Sequence, residues 1–183
     1  IVFGDWSSDV CSSDLTGVIK QRPEDFCVEE VPLYEPCGEG THVYAFIEKQ
    51  QLTTHDAVAR MAAALGVRRA DIGYAGRKDA QAITRQWISI EHIDPDKILA
   101  LDCPQIKVLK IGRHGNKLKV GHLSANKFMI RMRNLSAPAK QAEEIAQAIM
   151  EVLIRRGVPN YFGPQRFGGR SDSGRLGDRK SVV

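Results

Sequence analysis

The first third of the chain contains short runs in which hydrophobic and polar residues alternate. Residues 26–31 and 42–49 follow this pattern, and residues 16–21 form a shorter run of the same kind. Alternation with a period of two is typical of a strand with one buried face. We therefore predict three strands here, with a turn at Arg22 and Pro23 between the first two.

Two longer segments carry hydrophobic residues at helical spacing. Residues 54–65 predict a helix that is capped by Thr54 and stopped by Gly66. Residues 138–156 predict the longest helix, which ends before Gly157. A short helix is predicted over residues 95–101. The residues expected to face inward on the two longer helices are Val58, Met61, Ala62, Leu65, Ile145, Ile149, Val152 and Leu153.

Further strands are predicted over residues 72–75, 84–90, 106–113, 117–123 and 126–133. The turn sequence at residues 114–116 predicts a hairpin between the third and fourth of these, with a cationic tip. Strands and helices do not alternate strictly, as they would in a parallel βαβ fold. The order predicts an α+β domain on a mixed, largely antiparallel sheet with flanking helices.

Composition places the chain among soluble globular proteins. It has 183 residues, 43% of them hydrophobic and 26% charged, and no apolar run reaches the length that would span a membrane. The net charge is only +4, but no Asp or Glu occurs from Cys103 to Ala142. A field of one sign over such a stretch attracts polyanions, nucleic acid first among them. The cations of this stretch are Lys107, Lys110, Arg113, Lys117, Lys119, Lys127, Arg131, Arg133 and Lys140.

The four cysteines show neither a C-x-x-C pair nor the spacing of a zinc site. We therefore expect reduced thiols, a cytoplasmic protein and no bound metal. The sequence also contains no phosphate-binding P-loop, no dinucleotide fingerprint and no Ser-His-Asp order.

Both ends of the chain read as foreign sequence. Residues 4–15, GDWSSDVCSSDL, back-translate to DNA containing GCTCTTCCGATCT. The tail DRKSVV, with Gly177 before it read as GGA, back-translates to DNA containing the reverse complement, AGATCGGAAGAGC. Both resemble translated sequencing adapters. We therefore predict foreign segments over residues 1–15 and 178–183, and one domain over residues 16–177.

The stretch GYAGRKDAQAITRQW places a single acid, Asp79, directly after Arg77 and Lys78. Glycines allow a ligand to approach the backbone closely, and both cations can meet phosphates. Neighbouring cations also favour the ionised form of a carboxylate, which suits a nucleophile or a general base. Taken alone, the same loop also fits an ordinary turn with a solvated acid.

Other stretches allow two readings as well. Phe26 can stack on a nucleobase or belong to the core. Asn126 and Phe128 lie two residues apart, on the same side of a predicted strand, where an amide can pair with a uracil edge or with a neighbouring strand. The basic segment with Arg113, Lys117 and Lys119 is either a solvated face or a contact for the RNA backbone. The residues alone leave these alternatives open.

Five segments taken together resemble the TruD family, the tRNA pseudouridine-13 synthases. They are PEDFCVEE, YEPCGEGTHVYAFIEK, GYAGRKDAQAITRQW, SANKF and NYFGPQRFGGR, the last at residues 160–170. The resemblance implies an enzyme that isomerises a uridine in tRNA without cofactor or metal. It implies that Asp79 is catalytic and that the substrate is bound by Lys20, Phe26, Lys78, Asn126 and Phe128.

The resemblance also implies a pseudouridine-synthase catalytic domain that stops before the family's inserted accessory domain. We expect tRNA as the partner, a monomer, no membrane association, and no isomerisation by the chain on its own. Two other functions remain open: an RNA-binding module without catalysis, and a base-flipping enzyme that acts on DNA. Turnover on tRNA would separate the pseudouridine synthase from the RNA-binding module.

Overall fold

The computed structural model describes residues 15–157. The predicted motif at residues 160–170 and both predicted foreign ends, apart from Leu15, lie outside this range. Residues 16–136 form one compact unit, and residues 137–157 belong to a second.

The first unit is built on one six-stranded sheet. Its strands are β1 (Phe26–Pro32), β2 (His42–Gln50), β3 (Ile72–Tyr74), β4 (Ile83–Glu91), β5 (Ile106–His114) and β6 (Leu123–Ile130). The order across the sheet is β5-β2-β4-β1-β6, and the short β3 pairs with β4. Only β1 and β4 run parallel, whereas all other strand pairs are antiparallel. The predicted α+β class with a mixed, largely antiparallel sheet is confirmed.

The strand β2, which lies between β5 and β4, is buried on both faces. Its residues Val43, Ala45 and Ile47 lie in a hydrophobic core with α1 (Thr54–Leu65) and α2 (Pro95–Leu99). Its opposite face carries Tyr44 and Phe46, which lie in a second cluster with Trp87, Ala75 and Leu118. The expectation of a half-buried strand was wrong because the alternating pattern does not count large aromatic residues, which also need cover.

The helix α1 lies where the pattern predicts, but its cap is one residue earlier. Thr53 Oγ1 accepts a hydrogen bond from Asp56 N at 3.0 Å, so Thr53 is the N-cap. The hydroxyl of Thr54 instead accepts a hydrogen bond from Lys78 N, in the loop that contains Asp79. Gly66 ends the helix with φ of 67°, a left-handed conformation that glycine adopts readily.

The second unit contains α3 (Ala139–Arg156), close to the predicted residues 138–156. Four of its hydrophobic residues are half-buried and recur at helical spacing: Ile145, Ile149, Val152 and Leu153. This matches the predicted inward face. Within the described residues, no helix is long and apolar enough to cross a membrane.

The predicted hairpin does not form. β5 pairs with β2 at one edge of the sheet, whereas β6 pairs with β1 at the other edge. Residues 115–122 are the connection between these edges, and Leu118 within it is buried in the aromatic cluster of Tyr44 and Trp87. The turn sequence predicts where the chain bends but not which strand becomes its neighbour. Residues 16–21 also form no continuous strand; Val18 makes an isolated bridge with Arg133.

Candidate functional site

Asp79 lies in the loop between β3 and β4, and its carboxylate forms an ion pair with Lys20. Lys20 Nζ lies 2.8 Å from Asp79 Oδ2. The Asp79 side chain is 38% exposed and that of Lys20 is 20% exposed, so the pair is accessible from solvent without being fully hydrated. Asp79 therefore presents a partly exposed carboxylate that is paired with a cation.

The backbone around Lys20 is fixed by contacts to a distant part of the chain. Val18 and Arg133 exchange two backbone hydrogen bonds, of 2.8 and 2.9 Å. Arg133 in turn donates two hydrogen bonds of 2.7 Å to the buried carboxylate of Asp25. Lys20 itself has φ of 60°, which turns the chain and places its ammonium beside Asp79.

Two phenylalanines continue the site beyond Lys20. The Lys20 ammonium lies 4.0 Å from the centroid of the Phe26 ring, within the range of a cation–π contact. The rings of Phe26 and Phe128 meet edge to face with centroids 6.0 Å apart. Phe26 is only 8% exposed, whereas Phe128 is 56% exposed. The ring that is open to a ligand is therefore Phe128, while Phe26 lies beneath it with Val28 and Ala82.

Asn126 lies on the same face of β6 as Phe128. In the antiparallel pairing of β1 with β6, Asn126 lies opposite Glu30, and Phe128 lies opposite Val28. Residues paired in this way point to the same side of the sheet. Asn126 is exposed and therefore accessible from the side that carries Phe128.

Lys78 does not fit the predicted contact with substrate phosphate. Its ammonium lies 2.7 Å from Glu30 Oε2, and the two side chains are 4% and 1% exposed. The other carboxylate oxygen of Glu30 accepts a hydrogen bond of 3.2 Å from the backbone N–H of Trp87. Because a buried cation needs its anionic partner, Lys78 joins the loop to β1 and is closed off from solvent.

Glycine at position 76 leaves room for this arrangement. A Cβ on Gly76 would lie 2.9 Å from Leu123 Cδ2 and 3.1 Å from Lys78 Nζ. A side chain here would therefore push against the ion pair of Lys78 and Glu30. The small residue in the predicted loop makes space for the protein's own lysine, not only for a ligand.

Two buried polar residues hold the same loop from below. Thr54 Oγ1 accepts a hydrogen bond of 2.8 Å from Lys78 N and donates one of 3.0 Å to Gln86 Oε1. Gln86 Nε2 also points toward the carbonyl oxygen of Gly76, at 3.5 Å. The start of the loop is thus joined to both α1 and β4.

Lys49 contacts the loop of Asp79 but was not predicted as a site residue from the sequence. This residue lies near the end of β2, and its buried ammonium donates to the backbone carbonyl oxygens of Leu52 and Asp79, at 2.6 and 2.9 Å. Burial lowers the pKa of Lys49 to about 8. The pattern did contain a signal: Lys49 continues the inward positions 43, 45 and 47 of β2, where a charged residue is unusual.

The basic residues predicted to meet the RNA backbone have different surroundings. Arg77, Arg113 and Lys119 are exposed. Lys117, in contrast, donates a hydrogen bond to the carbonyl oxygen of Ala70, which ties the connection between β5 and β6 to the turn that precedes β3. Arg113, Lys119 and Lys117 all belong to β5 or to this connection.

The connection is also held by a polar cluster. Tyr34 Oη lies 2.7 Å from His122 Nδ1 and accepts a hydrogen bond of 3.0 Å from the side-chain amide of Asn116. Tyr44 donates to the carbonyl oxygen of Asn116 at 2.8 Å. These bonds give the exposed cations of this segment a fixed backbone.

The family model described as tRNA pseudouridine synthase D (TruD) matches residues 10–179 of this chain. The chain belongs to the TruD family. The resemblance inferred from the five sequence segments is confirmed by this match.

Relatives and a solved structure within the TruD family agree with this assignment. The tRNA pseudouridine synthase D proteins of Geotalea daltonii and Geobacter metallireducens are 51% and 52% identical to this chain over 161 residues, or 88% of it. A crystal structure of tRNA pseudouridine synthase D from Methanosarcina mazei superposes with a TM-score of 0.79 at 34% identity, covering 87% of this chain.

The matched region is a part of each relative. It makes up 40% and 39% of the two curated TruD relatives and 37% of the solved chain. The chain thus spans about two fifths of the length of the TruD proteins that it matches. The predicted domain bounds, residues 16–177, stay a prediction.

Proposed function

We propose that the whole protein isomerises a uridine of tRNA to pseudouridine, with Asp79 as the catalytic group and without a cofactor. The observation that carries this proposal is the ion pair of Asp79 with Lys20 beside Phe26 and Phe128, in a chain of the TruD family. The resemblance stated above implies position 13 of the tRNA as the target.

The reaction leaves the atomic composition of the nucleotide unchanged. The bond between N1 of uracil and C1′ of the ribose breaks, the uracil turns, and a bond forms between C5 and C1′. C5 then loses its proton, and N1 gains one. Asp79 serves this reaction either as a nucleophile at C1′ or as a base that removes the 2′ proton. Both routes use the carboxylate of Asp79, whose Oδ2 lies 2.8 Å from the Lys20 ammonium.

The neighbouring residues suit a uridine that has left its stack. An enzyme that acts on a base must turn it out of the helix and hold it in the site. The exposed ring of Phe128 offers a stacking surface, and the Asn126 amide on the same strand face can donate to and accept from a uracil edge. Phe26 contacts both Phe128 and the Lys20 ammonium, so we assign it the role of supporting these two groups.

The charge of the chain fits tRNA as the partner. The acid-free stretch from Cys103 to Ala142 contains Arg113 and Lys119, both exposed. Arg77 is exposed two residues before Asp79. Exposed Arg and Lys contact nucleic-acid phosphates and position the backbone without reading the sequence. No described feature favours the reading as a binding module without catalysis.

The proposal is tested in a chimera, because the chain spans two fifths of its relatives. Residues 16–177 replace the matching part of the Geotalea daltonii protein, and the chimera acts on an unmodified tRNA transcript that contains uridine with tritium at C5. Tritium release reports the loss of the C5 proton. We expect release with the parent residues and none with Asp79→Asn. Asp102→Asn, at an exposed acid outside the site, is the matched control and should keep turnover.

Two results would contradict the proposal. The first is a chimera that binds tRNA and releases no tritium. The second is an Asp79→Asn chimera that releases tritium at the parental rate.

A further inference from the structure

Lys49 is a buried lysine that the proposed chemistry does not use directly. It shares the core face of β2 with Val43, Ala45 and Ile47 and is 1% exposed. Among residues 15–157, no carboxylate forms an ion pair with its ammonium. Its hydrogen-bond partners among these residues are all backbone carbonyl oxygens, those of Leu52, Lys78 and Asp79.

The position of these carbonyls relative to Asp79 is specific. One belongs to the peptide group that precedes the Asp79 Cα, at 3.5 Å, and one belongs to the peptide group that follows it, at 2.9 Å. The orientation of these two peptide planes relative to each other is set by the backbone dihedrals φ and ψ of Asp79. Those dihedrals set the direction in which the Asp79 side chain leaves the backbone. One ammonium therefore governs how the carboxylate points toward Lys20.

The other supports of the loop act before Asp79. Glu30 holds the side chain of Lys78, and Thr54 holds the N–H of Lys78. Gln86 reaches only as far back as Gly76. Within the described part of the chain, Lys49 is the side chain that bonds to the main chain of Asp79 itself.

Burial of an ammonium is unfavourable unless hydrogen bonds replace its water. Burial lowers the pKa of Lys49 to about 8, with Asp79 and Asp56 acting against this shift and Lys78 adding to it. A hydrophobic side chain would fill this core position without such a cost, so packing alone does not account for a lysine here. The carbonyl contacts do.

We propose that Lys49 is a positioning residue of the active site, which fixes the two peptide groups around Asp79 and so aims its carboxylate. The inference rests on the proposed function of Asp79. Lys49 touches no substrate atom in this arrangement and acts through the backbone of Asp79. The effect of losing it should therefore appear in the rate of the bound complex and not in the binding of tRNA.

The first test compares variants of the chimera described above. Lys49→Met keeps the length of the side chain and removes its donors, and Lys97→Met makes the same change at an exposed lysine of α2. Ile98→Ala, in the same hydrophobic core, controls for lost stability. We expect kcat of Lys49→Met to fall by about 100-fold, because small misplacements of a reacting group have effects of this size, with KM within about threefold.

The outcome that overturns the inference is a loss of kcat in Lys49→Met no greater than in Ile98→Ala at equal melting temperature. A rise in KM with unchanged kcat would overturn it as well, because the residue would then act in binding. Lys97→Met should match the parent in both constants.

A second test uses the 183-residue chain and needs no turnover. Amide hydrogen exchange of Lys78, Asp79 and Ala80 should become at least tenfold faster in Lys49→Met than in Lys97→Met. Unchanged exchange would mean that Lys49 does not hold the loop and would overturn the inference. If instead the parent chimera forms no pseudouridine while Lys49→Met speeds exchange, the proposed function fails and the hold of Lys49 on the loop stands.

Discussion

The residues of the site differ in whether a ligand can reach their side chains. Asp79 and Phe128 are accessible, whereas Phe26 and Lys78 are buried and hold their neighbours in place. All four were predicted as substrate or catalytic residues from the sequence. A motif shows that a residue belongs to the site, but only packing shows whether it faces the substrate or supports one that does.

The first prediction concerns Asp79. Asp79→Asn keeps the shape of the side chain but is neither an anionic nucleophile nor a base, so we expect tritium release to fall below detection in the chimera. tRNA binding, measured by filter retention, should stay within a few-fold of the parent. Substantial residual turnover would show that another group carries out the chemistry.

The second prediction separates the two phenylalanines. Phe128→Ala should weaken capture of the tRNA uridine by about 1–3 kcal/mol, the usual value for one stacked base, and leave the melting temperature nearly unchanged. Phe26→Ala should instead lower the free energy of unfolding by about 3–5 kcal/mol, because it opens a cavity in a buried cluster. Binding isotherms and urea unfolding of both variants test this. Equal effects on stability would mean that Phe128 is also a core residue in solution.

At the scale of elements, the sequence pattern predicted strands and helices well where burial follows a simple period. The predicted bounds of α1 are those observed, and residues 84–90 fall within β4. Pairing was predicted poorly, because the turn after β5 contains no information on the distant strands β1 and β2. Lys49 was missed for a related reason: its partners are backbone carbonyls, which a reading of side chains does not reveal.

The third prediction concerns the ion pair that anchors the segment of Lys20. Hydrogen bonds from Arg133 hold the pKa of Asp25 below its usual value. A carboxyl whose pKa is lowered by folding stabilises the folded state above its unfolded pKa of about 3.8 and loses this contribution as the pH falls through the folded value. Urea unfolding between pH 7 and pH 2 should therefore show a loss of stability at the acid end.

The matched variant for this prediction is Asp25→Asn. It should be less stable than the parent at pH 7 and show a smaller loss on acidification, because the titrating group is gone. Parallel pH curves for the two proteins would show that Asp25 contributes nothing to the acid response.

At the scale of the whole molecule, the exposed cations Arg113 and Lys119, on β5 and the connection after it, offer a surface that suits an extended polyanion. Residues 103–142 contain no acid, and the connection from β5 to β6 that carries part of their charge is held by Tyr34, Tyr44 and Lys117. A fixed backbone keeps the exposed cations at defined positions, so that each can meet a phosphate.

The fourth prediction tests this surface by its response to salt. Lys119→Ser should reduce the slope of log K against log salt for tRNA binding by about one, the value for one lost phosphate contact. Lys97→Ser, at an exposed lysine of α2, should leave the slope unchanged. Lys117→Ser should also lower the melting temperature, since its ammonium bonds to the carbonyl of Ala70. An unaltered slope for Lys119→Ser would place that residue away from the tRNA.

The position of β1 in the sheet has a consequence for the order of events during synthesis. β1 is made before the other strands, but both of its neighbours, β4 and β6, emerge from the ribosome much later. Pairings of such long separation in sequence close slowly. β2, α1, β3 and β4 can assemble in the meantime. The ion pair of Lys78 with Glu30 joins the loop of Asp79 to β1, so this loop is set in place only after β1 has paired with β4.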